Sequence, residues 1–120
     1  MQKYKTFEQF CGSLYTNHVY LLKTLLLRIA RGCISLEKFT LILPLFPFDG
    51  DWILPLSEHP HLKVLVIASM RLPHGMLATL GHFQHLDSLH LKLKYFDREG
   101  IAQLKRKIPG VAIRTQKYTY

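Results

Sequence analysis

The sequence predicts an α/β fold built from short units laid side by side, with parallel strands on a concave face and helices on a convex one. Three observations predict it. First, the phrase L-x-x-L-x-L occurs as Leu36 to Leu41, with Phe39 in the fourth place, as Leu62 to Ile67, and as Leu86 to Leu91. The opening leucines lie 26 and 24 residues apart. Second, the apolar pairs Ile53/Leu56, Leu77/Leu80 and Ile101/Leu104 recur every 24 residues. Third, the two periods are in phase: the leucine that opens the next phrase follows six residues after Leu56 and again after Leu80. Chance readily places leucine phrases in a leucine-rich chain. Two coupled periods are a stronger signal.

A period in this range with this phrase is the pattern of leucine-rich repeats, so the expected architecture is a short leucine-rich-repeat solenoid. Residues 1–18 are the least legible and read as an N-terminal cap or a worn repeat. Residues 19–113 carry the repeats, and residues 114–120 read as a polar, aromatic tail.

Each element has a local reason. Asn17 is a plausible N-cap for a helix running to about Arg31. Leu22, Leu25, Leu26, Ile29 and Cys33 fall on one face of it, Arg28 and Arg31 suit its negative end, and Gly32 stops it. Pro44 and Pro47 end the first strand phrase, because proline cannot donate to a ladder. Asp49-Gly50-Asp51 is a turn, and Trp52 to Leu56 a single helical turn that tolerates Pro55. Met76, Leu77, Leu80 and Phe83 make a short amphipathic helix. Asp97 and Glu99 open the last helix, Ile101, Leu104 and Ile108 form its apolar face, and Lys105, Arg106 and Lys107 crowd its final turn. Pro109-Gly110 ends it, and Val111-Ala112-Ile113 reads as a closing strand.

Composition narrows the function. Basic residues number 16 and acidic ones 8, a formal net charge of +8 that suits nucleic acid, anionic membrane or acidic protein partners without choosing among them. The charges are scattered, which favours a protein partner over nucleic acid. Two cysteines cannot build a disulfide scaffold, so a reducing compartment is the simpler reading. The apolar run from Val19 to Ala30 is broken by Lys23 and Arg28 and is too short to span a bilayer. No secretory leader is legible at the N-terminus, and a soluble cytoplasmic or nuclear protein is expected.

The segment Ala30-Arg31-Gly32-Cys33-Ile34-Ser35-Leu36 resembles the cysteine-containing repeats of F-box/leucine-rich-repeat proteins, in which a helix ends A-x-G-C before the strand leucine. Asp97 to Leu104, D-x-x-G-I-x-x-L, resembles the start of such a helix. The resemblance covers roughly residues 22–113 and is detailed in one repeat only. It implies a substrate-recognition role in ubiquitin ligation, with ubiquitin-ligase subunits among the partners. Two departures stand out. No F-box-like segment is legible, and the positions that hold Asn or Cys at the turn of many such repeats hold Pro44, Met70 and Lys94. The turns must therefore be satisfied in another way.

Strand alternation places the site. The outward row would be Lys38, Thr40 and Ile42, then Val64, Val66 and Ala68, then Ser88, His90 and Lys92, then Ala112 and Arg114. An apolar centre at Val64, Val66 and Ala68 with Lys38, Lys92 and Arg114 around it has the make-up of a protein-binding patch. The expected protein-binding residues are Lys38, Thr40, Val64, Val66, His90, Lys92 and Arg114 on the concave strand face. A basic module binding RNA or DNA is the alternative.

Among seven histidines, His59-x-His61 and His82-x-x-His85 have ligand-like spacing, but no cysteine or carboxylate pair completes a tetrahedral set, so no metal or cofactor is expected. G-x-S-x-G, a P-loop and H-E-x-x-H are all missing, and Asp49, Asp51 and Glu58 read as solvated turn carboxylates; no enzyme is expected. Cys33 reads as a small core residue rather than a nucleophile, and Trp52, Phe46 and Phe48 as packing.

Overall fold

A computed structural model of the chain describes residues 6–10, 19–42, 51–73 and 75–117, with side chains from Lys23 onward. It is an α/β fold around a five-stranded parallel sheet. The strands are β1 (Thr6–Phe10), β2 (Lys38–Ile42), β3 (Val64–Ser69), β4 (Ser88–Leu93) and β5 (Ala112–Lys117). They lie in sequence order, each hydrogen-bonded to the next. The connections are α1 (Val19–Gly32), a 3-10 helix (Asp51–Glu58), α2 (Met76–Leu80) and α3 (Arg98–Lys107).

The register is the one the leucine phrases require. Phe39 pairs with Leu65 and Leu65 with Leu89, while Leu41 pairs with Ile67 and Ile67 with Leu91. These side chains are at most 1% exposed. They form one cluster with Leu26 and Ile29 of α1, Trp52, Ile53 and Leu56 of the 3-10 helix, Met76 and Leu80 of α2, and Ile101 and Leu104 of α3. All four connections therefore cover the same face of the sheet, and each contacts the one that follows it. Each such side chain contributes about 1.5–3 kcal/mol on burial.

The helices form where the sequence says, with local adjustments. In α1, Leu26, Ile29 and Cys33 sit one and two turns apart on the buried face, and Cys33 N–H still closes onto the Ile29 carbonyl at 3.0 Å. Gly32 then ends the helix. The expected Asn17 cap, the strand-ending Pro44 and Pro47, and Asp49 and Gly50 of the expected turn lie outside the described residues, and Asp51, the last residue of that turn, opens the 3-10 helix. The single turn expected at Trp52 is a longer 3-10 helix with Pro55 inside it, and Trp52, Ile53, Pro55 and Leu56 are buried. Side chains three apart eclipse in a 3-10 helix, so Trp52 with Pro55 and Ile53 with Leu56 share its buried side. In α2, Gly75 has φ 83°, a left-handed conformation that favours glycine. In α3 the Asp97 carboxylate accepts from Gly100 N–H at 3.0 Å, an N-cap that satisfies one of the first turn's free donors.

Two differences from expectation concern the ends. Thr6 to Phe10, part of the stretch read as a cap or worn repeat, is a strand paired in parallel with β2. At the other end, β5 runs through Lys117, four residues past the expected end at Ile113 and into the stretch read as tail. The strand continues because β4 offers six consecutive partners, the last being Leu93 opposite Lys117.

The turns without Asn are satisfied by backbone from the neighbouring unit. The Met70 carbonyl accepts from both Lys94 and Tyr95 N–H, at 3.0 and 2.8 Å. At the other end of the strands, the Glu37 carbonyl accepts from Lys63 and Val64, and the Lys63 carbonyl from Asp87 and Ser88. Unit is stitched to unit at both rims, so the sheet does not depend on a side-chain ladder there.

Candidate functional site

The face of the sheet opposite the described helices carries three rows of side chains. The first is Lys38, Val64, Ser88 and Ala112; the second is Thr40, Val66, His90 and Arg114; the third is Ile42, Ala68, Lys92 and Gln116. The structure thus brings the seven residues expected to bind a partner onto one face. Their exposure is not what alternation alone implies. Lys38, Ala112 and Arg114 are exposed and Val64, Ser88, His90 and Lys92 are half-buried, but Thr40 is 8% exposed, Val66 4% and Ala68 2%. The expected open apolar centre is therefore closed at Val66 and Ala68. Val64 is the apolar residue of that strand that retains surface.

The electrostatics of this face centre on His90. Its pKa is lowered, first by burial and then by the positive charges of Arg114, Lys38 and Lys92. Lys38 lies two strands and one residue pair away, roughly 12 Å by sheet geometry, within reach of a long side chain. Three cations, one on β2, one on β4 and one on β5, therefore disfavour a proton on this imidazole. Among the described residues the one salt bridge is elsewhere, Lys63 to Glu37 at 3.9 Å, and both partners are solvated. β2 to β5 place no carboxylate on this face, and β1 places one, Glu8, opposite Thr40 in the second row.

A second feature lies at the carboxyl ends of β3 and β4. A cleft of about 370 Å³ is lined by Leu72, Leu77, Leu93, Phe96 and Ile101, with Arg71 at its mouth. The Arg71 guanidinium lies 5.7 Å from the Tyr95 ring centre and the Lys94 ammonium 5.5 Å from it. Asp97, the carboxylate of this cleft, is engaged as the α3 cap.

The histidine pairs do structural work or face solvent. His59 is 2% exposed and its ring bridges two units: Nε2 lies 2.7 Å from the Cys33 carbonyl, and Nδ1 accepts from His61 N–H at 3.1 Å. That fixes the tautomer with the proton on Nε2. Both ring nitrogens are occupied, which leaves none for a metal. His82 and His85 are exposed. No group of three or more His, Cys, Asp or Glu side chains suited to a metal occurs among the described residues. Cys33 is a buried free thiol at the end of α1, and Trp52 is wholly buried; both pack. Phe46 and Phe48 lie outside the described residues.

What the outward-row reading missed is Gln116, at the far end of β5. The signal was in the period, since Gln116 stands 24 residues after Lys92. No helix among the described residues is long and apolar enough to cross a membrane. No family model, curated protein or solved structure matches the chain.

Proposed function

We propose that the chain is a short leucine-rich-repeat stack, concave on its strand side, that works as a protein-interaction module, and that the strand face receives an acidic segment of its partner. The observation that supports this most directly is the placement of Lys38, Lys92 and Arg114 around His90 on one sheet face, with half-buried Val64 beside them and Glu8 the one carboxylate the five strands place there. A basic rim around a small apolar contact suits a partner that carries aspartate or glutamate next to an aliphatic side chain. The stack reading draws support from strands in chain order, one covered sheet face and the backbone stitching at Glu37, Lys63 and Met70. Substrate recognition for a ubiquitin ligase is the setting the F-box resemblance suggests. What supports it is the match at Ala30, Gly32, Cys33 and Leu36; the equivalent of Cys33 in the next two units is His59 and then Phe83, so the packing there does not demand cysteine.

The test is affinity purification with the wild type beside a Lys92→Glu/Arg114→Glu variant shown by circular dichroism to fold. A partner held by the wild type and lost by the variant supports the reading. Its affinity should rise as the pH falls toward 6, because a carboxylate beside His90 lifts the depressed pKa and binding then takes up a proton. Equal retention by both proteins removes the strand face as the site. A log-affinity against log-salt slope as steep as several phosphate contacts produce would instead point to nucleic acid.

A further inference from the structure

We propose that the open edge of β5, with the groove beneath it, is a second interaction surface that captures an extended acidic peptide segment as an added strand. The backbone makes the first half of the case. Ala112 N–H donates to the Asp87 carbonyl at 3.0 Å, which turns the backbone of Ala112 toward β4. In a parallel ladder alternate residues face the same neighbour, so Arg114 and Gln116 turn the same way. The N–H and C=O groups of Ile113, Thr115 and Lys117 therefore point to the open side, where no strand pairs with them among the described residues. A row of unpaired backbone groups is a template for another strand.

The side chains supply the second half. On the helix side, where β4 presents Leu89, Leu91 and Leu93, β5 presents half-buried Ile113 and exposed Thr115 and Lys117. Under this edge runs a groove of about 470 Å³, floored by Phe96, Ile101 and Ala102 of the α3 region. Its flanks are Arg98, Lys105 and Lys117, and no carboxylate lines it. An added strand sends every second side chain into such a groove. A glutamate there meets three cations with its carboxylate and Phe96, Ile101 and Ala102 with its methylenes. A second copy of this chain fits poorly, because another β5 brings two cations, Arg114 and Lys117, and no carboxylate to an edge that is already basic. The surface is separate from the strand face, and it does not depend on the cluster around His90.

The experiment uses the full chain and a blocked peptide of alternating glutamate and threonine, about eight residues long to match a strand. Amide exchange is followed by NMR. On saturation, exchange at Ile113, Thr115 and Lys117 should slow by about fivefold or more while Ala112, Arg114 and Gln116 stay as they were. The same peptide methylated on alternate backbone nitrogens should have no effect. Thr115→Pro, which removes an outward N–H and leaves the β4 side intact, should abolish the protection at Ile113 and Lys117. Lys105→Glu/Lys117→Glu should weaken binding by about tenfold or more, and Lys38→Glu, on the strand face, should leave it unchanged. No slowing with the peptide, or slowing that survives backbone methylation, overturns the proposal. So does outward-amide protection already present in the free monomer, which would mean that the chain covers its own edge. A dimer in sedimentation that protects the same amides assigns the edge to a second copy and overturns it too.

Discussion

β3 and β5 occupy equivalent places in the repeat and could hardly differ more. Through β4, Leu65 corresponds to Ile113, Val66 to Arg114, Ile67 to Thr115 and Ala68 to Gln116. In β3 every residue but Val64 is buried, on both faces of the sheet. In β5 nothing is buried, and Ile113 alone is half-covered. The backbone is the same and the register is the same. What differs is the number of neighbours: β3 has a strand on each side and a helix layer below, whereas β5 has a strand on one side only. Burial on the strand face of β3 does not come from the hydrophobic cluster, since Val66 and Ala68 are outside it. The chain answers the asymmetry in its composition, apolar on both faces at the centre and polar on both faces at the edge.

The sharpest way to break that comparison is to make one truncation at the two equivalent sites. Leu91→Ala, in the strand between β3 and β5, removes a side chain with no exposure and should cost about 2–5 kcal/mol. Thr115→Ala, one strand over in the same row, should shift stability by no more than about 0.5 kcal/mol. Urea unfolding midpoints at a common m-value read both. A similar loss at the two sites would mean that the edge is covered after all.

The same contrast explains what was legible in the sequence. Leu36, Leu62 and Leu86, and the alternation that follows each, were readable because an inward leucine has one job and one spacing. Asp97 was readable because a cap needs only a carboxylate three residues before the amide it satisfies. Exposure at Val66 and Ala68 was not, because alternation assigns a face but says nothing of what covers it. The extent of β5 was not, because Arg-Thr-Gln-Lys has no apolar alternation to mark a strand, and its pairing is imposed by β4. The gathering of Lys38, Lys92 and Arg114 around His90 followed from the register once the strands were assigned, but the depressed pKa depends on burial that a sequence does not carry.

Between the centre and the edge, a third column measures how units are joined. Three residues before each strand leucine stand Cys33, His59 and Phe83, all buried. One period after Phe83, at the exposed end, stands Lys107, whose aliphatic stem lies over Gly81. His59→Ala should cost about 1–3 kcal/mol, since it strips the Cys33 carbonyl of its cross-unit donor in a dry place. Lys107→Ala, at the solvated end of the column, should cost less than about 1 kcal/mol. If the two losses are equal, the column is not what ties the units together. Asp97→Ala should fall close to 1 kcal/mol, roughly the worth of a single N-cap, and should leave β3 and its neighbours protected from exchange.

The smallest expected effect is electrostatic and belongs to His90, which stands between the buried centre and the charged edge. Its pKa in the folded chain is below the ordinary 6.5, held down by burial first and by Arg114, Lys38 and Lys92 after it. The unfolded chain therefore binds the proton at a higher pH than the folded one. Stability from this group is complete above about pH 6.5 and declines as the pH falls from there toward the folded value, below which the slope levels off. Arg114→Gln removes the largest of the three charges acting on the ring, so the His90 titration should move up toward 6.5 and the acid-side decline should shrink. Burial remains in that variant, so the titration should not return all the way. An imidazole titration followed by NMR in both proteins gives the answer directly. A His90 curve that ignores Arg114→Gln would mean that the charge on the edge strand does not reach the centre of the face, and the three cations would then have to be treated as separate sites rather than as one rim.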